Sequence, residues 1–337
     1  MKVNSNKIKS LILLSLVGSS TTNEQKSTNQ SKLTLNSLPQ IGTNFTSSKI
    51  TQRDSGQNVY VAGVPVLFTF KRNDGSLLPS KKCTSGFSVV KTGGCSDYNF
   101  GFLTSTFCGF SDDEQDVRLY DPQLPLTSWD NSVTLGYLYS WCDLYNGGDC
   151  LSASDNLPNH RELEPVNLKH MPFVPKATDE GTTDLIPVTS SANPTGPGLS
   201  VCVYGAASGY RCGTLTEVGS SLTVPNPRKD WHQDTLEMKN LGKVDLGTNG
   251  LLKEDLGAPV YTETKIGERT LAQALGHVSV IENADPQHQS FYYFPIETAL
   301  TQVNTISHCP CALLTYNETN SQQYDHLLAQ MEIPTKK

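Results

Sequence analysis

A chain of 337 residues has room for one large core or for two small domains. Only 18% of its residues are charged, and Gly, Pro, Ser, Thr and Asn are plentiful, a mixture that suits a loop-rich all-β protein better than a helical one. The formal net charge of -7 argues against nucleic acid and against an anionic membrane surface as partners.

The first residues have the pattern of a secretion signal. Lys2, Lys7 and Lys9 supply a basic start, "LILLSLV" from Leu11 is a short apolar run, and Gly18, Ser19 and Ser20 are small enough for cleavage. The run is too short to cross a bilayer, and no later segment is long and apolar enough to form a membrane span. The expectation is a signal peptide over residues 1–20 and a secreted, extracellular protein. Residues 21–56 are rich in Ser, Thr, Asn and Gln. They carry too little apolar surface to offset the entropy of ordering, which predicts a flexible leader. Asn29, Asn44 and Asn317 begin N-x-Ser/Thr sequons, which would be glycan acceptors in a secreted eukaryotic chain.

From Val59 onward the pattern changes. "VYVAGVPVLFTF", "SGFSVV", "FGFLTSTF", "SVTLGYLYSW", "GLSVCVYG", "GSSLTV" and "HVSVI" are short β-rich runs punctuated by Gly, Asn, Asp and Pro. Many short strands with turn signals predict a barrel or a sandwich. One clear helix is predicted at "FPIETALTQVN", with Pro295 near its start and Ile296, Ala299, Leu300 and Val303 on one face. A weaker helix, "SQQYDHLLAQM", comes near the end. No repeat at a fixed period is visible.

Six of these segments, in order, resemble the secreted chymotrypsin-fold (trypsin-like) serine proteases of the streptogrisin and alpha-lytic protease branch. "CTSGFSVV" from Cys83 resembles the strand that opens the catalytic half of these proteases, and "FGFLTSTFCG" from Phe100 resembles the strand and turn that carry the catalytic histidine. "VCVYGAASGYRCGTLTEV" from Val201 resembles that branch's Cys-x-Ser-Gly-x-x-x-Gly-x-x-Cys-Gly-Thr segment. "EDLGAPVYT" resembles the nucleophile turn Gly-Asp-Ser-Gly-Gly-Pro, "GHVSV" from Gly276 the substrate-binding strand, and "FYYFPIETALTQVN" the closing helix. The resemblance implies an all-β, double six-stranded β-barrel with a C-terminal helix, over residues 57–304. The two barrels would cover about 57–165 and 166–304, and residues 305–337 would form a C-terminal extension.

Nine cysteines in a secreted chain point to disulfides. The resemblance implies that Cys83 pairs with Cys108 and Cys202 with Cys212. Cys142 and Cys150 flank the turn-rich "DLYNGGD" and are a further candidate pair as a hairpin clip. Cys95, Cys309 and Cys311 remain, so at least one thiol is unpaired or intermolecular. No cofactor is implied and no metal site is expected, because the "HCPC" spacing is wrong for a structural zinc.

Proteolysis by this family needs a serine oxygen to attack, an imidazole to take its proton and a carboxylate to orient the imidazole. The resemblance places Leu256 at the serine position and Phe107 at the histidine position, and neither side chain can do the work. The third position falls on Asn159 or His160, where no Asp is present. The oxyanion turn would comprise Glu254, Asp255 and Gly257, with Glu254 replacing a glycine whose backbone conformation resists side chains. The substrate pocket would comprise Ser279, Val280 and Ile281, the last two replacing paired glycines. The reading is a serine protease homologue that has lost its triad, a pseudoprotease that binds another protein: a protease, an inhibitor or a surface protein. The competing reading is a secreted serine-type endopeptidase with a noncanonical active site.

Overall fold

The computed structural model describes residues 58–72, 74–77, 79–92, 100–109, 116–120, 134–141, 151–154, 168–178, 183–226, 234–285, 288–306, 310–317 and 319–332. The signal and leader segments, Asn29, Asn44, Cys95, Cys142, Cys150, Asn159, His160 and Cys309 lie outside them.

The first half contains β1 (Asn58–Tyr60), β2 (Pro65–Lys71), β3 (Lys81–Thr84), β4 (Ser88–Lys91), β5 (Phe100–Thr104), the short helix α1 (Thr106–Gly109), β6 (Asp116–Tyr120), β7 (Thr134–Trp141), β8 (Leu151–Ser154) and β9 (Leu168–His170). One antiparallel sheet runs β4-β5-β8-β7-β6-β2-β3. Its two ends, β3 and β4, are successive pieces of one stretch of chain, residues 81–91, so the chain itself joins them. The bend falls at Gly86, where an added Cβ would lie 2.1 Å from Leu103 O, closer than any side chain tolerates. Phe87 O accepts from Leu103 N at 3.0 Å just past the bend. Alternation on β2 sends Val66, Phe68 and Phe70 fully inward. Each such burial stabilises by about 1.5–3 kcal/mol.

The second half contains β10 (Phe173–Ala177), β11 (Thr183–Ser191), β12 (Ser200–Gly205), β13 (Gly209–Pro225), β14 (Thr235–Gly247), β15 (Pro259–Ile266), β16 (Arg269–Asp285) and β17 (His288–Pro295). The ladder β16-β15-β12-β13-β14-β17 closes on itself, because β16 also pairs with β17. Val201, Val203, Leu215, Val244, Val260, Leu275, Val278 and Phe291 fill this ring. β11 adds to its outside, parallel to β16, and β10 adds to β11.

Numbered by sequence within each half, six strands neighbour one another in the order 1-2-3-6-5-4. In the first half, β3 and β4 together are strand 2. The expected pair of six-stranded barrels is therefore present, as a structural repeat that the sequence does not display. A further apolar cluster draws on both halves: Phe87, Val89 and Leu103 from the first, Tyr261, Phe294 and Ile296 from the second.

Helix α2 (Ile296–Ile306) follows β17 directly. Its buried face is Ile296, Ala299, Leu300 and Val303, the face the periodicity predicts. The helix starts one residue after Pro295, which ends the strand instead. The C-terminal residues add β18 (Cys311–Leu313), which pairs with β4 of the first barrel, and α3 (Ser321–Glu332). Among the described residues, no helix is long and apolar enough to cross a membrane.

Candidate functional site

Residues Lys253–Asp255 form one 3-10 turn between β14 and β15. Asp255 N donates to Leu252 O at 2.9 Å, Leu256 N to Lys253 O at 3.3 Å and Ala258 N to Asp255 O at 3.0 Å. A 3-10 conformation needs no positive φ, so Glu254 stands in this turn in an ordinary backbone conformation. Among the described non-glycine residues, Asn240 alone has a positive φ. Gly257 does need to be glycine. Its φ is +84°, and a Cβ there would lie 1.8 Å from Thr104 Oγ1 and 2.4 Å from Thr84 O.

Asp255 is fully buried, and its carboxylate is held by backbone donors. Oδ1 accepts from Ala207 N at 2.8 Å and Ser208 N at 3.2 Å, and Oδ2 accepts from Leu252 N at 2.9 Å. Fixed dipoles thus compensate a buried charge. The carboxylate packs against Gly205, where a Cβ would meet Asp255 Cγ at 2.3 Å. Asp255 therefore pins the β12–β13 connection to the turn. Leu252, Lys253 and Glu254 stay exposed on its rim, and Leu256 is half-buried against the second barrel's core.

The structure brings Leu256 and Phe107 onto adjoining segments. Cys83 and Cys108 are bonded, with Cα atoms 6.1 Å apart. Leu256 O lies 3.6 Å from Cys108 Sγ, a contact only, since a bonded cysteine has no S–H to donate. Phe107 is the neighbouring residue on α1; it is half-buried and packs on the cluster shared by both barrels, and its carbonyl accepts from Lys81 Nζ at 3.2 Å. Thr84, next to Cys83, ties the barrels together. Its N donates to Leu256 O at 2.9 Å, and its Oγ1 donates to Glu254 O at 3.0 Å while accepting from Ala206 N at 3.0 Å. Thr84 carries no sequence motif. Its one signal was its position directly after a bridged cysteine.

The third segment is the strand at 276–281. Gly257 N donates to Val278 O at 2.8 Å and Val278 N to Ala258 O at 2.9 Å, which seats the strand against the turn. Ser279 is buried and its Oγ has no hydrogen-bond partner. It is the extra residue of a bulge, since Val278 faces Tyr293 while Val280 faces Tyr292. Val280 is half-buried against the shared cluster and Ile281 against the second barrel's core.

Cys202 and Cys212 are bonded directly across β12 and β13, with Cα atoms 4.0 Å apart. Beside them, Tyr210 OH donates to Glu263 Oε1 at 2.7 Å, and Lys176 Nζ pairs with Glu263 Oε2. Burial, then the Glu263 carboxylate, push the Tyr210 phenol above its ordinary range and keep it a donor. Asn317 is exposed, and its Oδ1 accepts from Thr319 N at 3.0 Å and Asn320 N at 3.2 Å ahead of α3. Among the described residues, no group of three or more His, Cys, Asp or Glu could hold a metal.

The Asp-x-Gly turn thus lies between strands 3 and 4 of the second 1-2-3-6-5-4 barrel, against the disulfide-bridged segment that ends strand 3 of the first. The fold is chymotrypsin-like. Solved structures similar to this chymotrypsin-like chain include Thermobifida fusca Protease A, at 20% identity and a TM-score of 0.47, over 77% of this chain and 100% of that one. Cellulomonas bogoriensis chymotrypsin is similar at 17% identity and a TM-score of 0.47, over 77% and 100%. Nocardiopsis protease is similar at 18% and 0.46, over 76% and 100%. No family model matches the sequence, and no curated protein matches it.

Proposed function

We propose that this chain is a secreted protein of chymotrypsin-like fold that has lost proteolytic activity and acts by binding another protein. The observation that carries the reading is the turn at Leu256. Its side chain has no nucleophilic atom, and its N–H, the group that would stabilise an oxyanion beside a serine, is committed to Lys253 O inside the 3-10 turn. Phe107, on the adjoining segment, cannot act as a base. The features that hold the turn in place are present: Asp255 on its backbone donors, Gly257 at positive φ and the Cys83–Cys108 bridge. A braced scaffold without the reacting groups suits recognition. The partner class is a protease, an inhibitor or a surface protein. The disulfides accord with an oxidising, extracellular location.

The test is incubation of the purified protein with casein and with a serine-directed fluorophosphonate probe. The expected result is neither cleavage nor labelling. Labelling that disappears when a single described serine is substituted would replace this reading with that of an endopeptidase using a relocated nucleophile.

A further inference from the structure

We infer that residues Cys311–Glu332 form a clamp across the two barrels, one that opens as a unit of its own while the barrels stay folded. The inference does not depend on whether the chain cleaves peptides. It starts from the bend in residues 81–91. β2 pairs with the β3 part of that stretch, so the same edge is left open along β4. An open strand edge offers unpaired N–H and C=O groups. β18 fills it in cis: Cys311 faces Lys91, Ala312 faces Val90 and Leu313 faces Val89. The pairing extends at both ends, with Thr92 N donating to Pro310 O at 2.9 Å and Leu314 N to Ser88 O at 2.9 Å.

Two residues later the chain has crossed to the other half. Tyr316 N donates to Val188 O at 2.7 Å, on β11, the strand added to the second barrel. The rings of Tyr316 and Tyr324 stand edge-on to Phe173, at centroid distances of 5.5 and 6.3 Å, and Tyr316 OH donates to Asp325 Oδ1 at 2.9 Å. Leu314, Tyr316 and Tyr324 are all buried by this crossing. The clamp is rooted at α2, where Asn304 brackets the backbone N–H and C=O of one residue, Cys311. Its Oδ1 accepts from Cys311 N at 2.7 Å and its Nδ2 donates to Cys311 O at 2.9 Å. The side-chain amide stands in for a strand neighbour.

Independent opening follows from where these bonds lie. Among the described residues, β18 has a strand on one side only, whereas each ring strand, such as β12 or β15, has a strand on both. Releasing the segment breaks short, peripheral ladders and leaves both ring cores closed, so it costs less than global unfolding. Release would expose the β4 edge and the Val188 carbonyl, and would remove a direct tie between the halves. Cys311 reports on it. It is a free thiol, half-buried against the cluster shared by the barrels.

The test is amide hydrogen exchange on the full chain, read by mass spectrometry, with alkylation of Cys311 in parallel. The amides of Leu314 and Tyr316 are expected to be protected, yet to exchange faster than those of Val203 and Val260. Asn304→Ala should speed the first pair roughly 5–30-fold, as expected for losing two hydrogen bonds. It should speed Cys311 alkylation with them and leave Val203 and Val260 unchanged. Asn304→Asp, which keeps an acceptor for Cys311 N, should fall between. Exchange of Leu314 and Tyr316 at the rate of an unstructured peptide would overturn the clamp. Exchange at the rate of Val203 and Val260, in wild type or moving together with them in the variant, would overturn its independence. The wild-type comparison decides both points even if Asn304→Ala is not secreted.

Discussion

Replacing Asp255 with alanine should destabilise this protein severely, whether or not the turn it holds is catalytic. The carboxylate is fully buried and accepts from three backbone donors. In Asp255→Ala, Leu252 N can still use Ser208 Oγ at 3.0 Å, but Ala207 N and Ser208 N lose the acceptor shown for them. Hydrogen bonds to a charged group are worth about 1.5–3 kcal/mol each, and a cavity is added, so the expected cost is about 3–5 kcal/mol. That is a large part of the 5–15 kcal/mol typical of a whole domain, by the usual order of magnitude. Asp255→Asn should cost less, about 2–3 kcal/mol, because its oxygen can still serve Ala207 and Ser208 while its NH2 opposes the Leu252 N–H. The same geometry predicts a coupling. Gly205→Ala drives a Cβ to 2.3 Å from Asp255 Cγ in the native protein, but that obstacle is absent once Asp255 is alanine. Gly205→Ala should therefore cost less in the Asp255→Ala background than alone. Guanidinium unfolding of the four proteins, followed by circular dichroism, measures the cycle. An Asp255→Ala variant within about 0.5 kcal/mol of wild type, the range of an ordinary surface change, or strict additivity with Gly205→Ala, would refute the pin.

Three further outcomes are expected. Non-reducing peptide mapping should recover Cys83–Cys108 and Cys202–Cys212; replacing each pair by serines should cost about 3.5 and about 2.7 kcal/mol respectively, from chain entropy over loops of 25 and 10 residues. Free thiols at either pair would count against the barrels themselves. Phe107→His with Leu256→Ser should remain silent towards peptides, because a tautomer-fixing Asp is worth about 10⁴-fold and one oxyanion donor about 10²–10³-fold, and the double change supplies neither. Cleavage by this variant at a modest fraction of a trypsin-like rate would mean that only two side chains separate this chain from an active protease. Burial pushes the Cys311 thiol up to about 11 from 9.0, so at pH 8 its thiolate fraction should be about 100-fold below that of an exposed thiol, and alkylation correspondingly slow. A raised thiol pKa contributes stability that is present below the unfolded value and is lost as pH rises through about 11; full-rate labelling of the folded protein at pH 8 would contradict it.

Much of this architecture can be read from the chain because it rests on local chemistry. Alternation on β2 and the apolar stripe of α2 each report a buried face through side-chain spacing alone. Gly257 and Asp255 mark a turn whose conformation and buried charge restrict which residues can stand there. Leu256 and Phe107 announce by composition that no nucleophile and no imidazole are present at those positions.

Other features are invisible locally because they are pairings between distant residues. Both halves share the strand order 1-2-3-6-5-4, yet no repeat shows in the sequence, since many side-chain sets fill the same ladder of backbone hydrogen bonds. The resemblance implies a glycine at the position of Glu254, but the 3-10 turn that seats this residue is set by backbone pairing among Leu252, Lys253, Asp255 and Leu256. Thr84 joins Leu256, Glu254 and Ala206 from more than 100 residues away, through groups that a threonine carries anywhere. The place of β18 depends on an edge that exists only because residues 81–91 bend at Gly86 and β2 pairs with just one side of the bend. Residue types and their spacing determine which faces are buried and which side chains stand in the turns; which backbone donors meet which acceptors was decided only when the two barrels closed and docked.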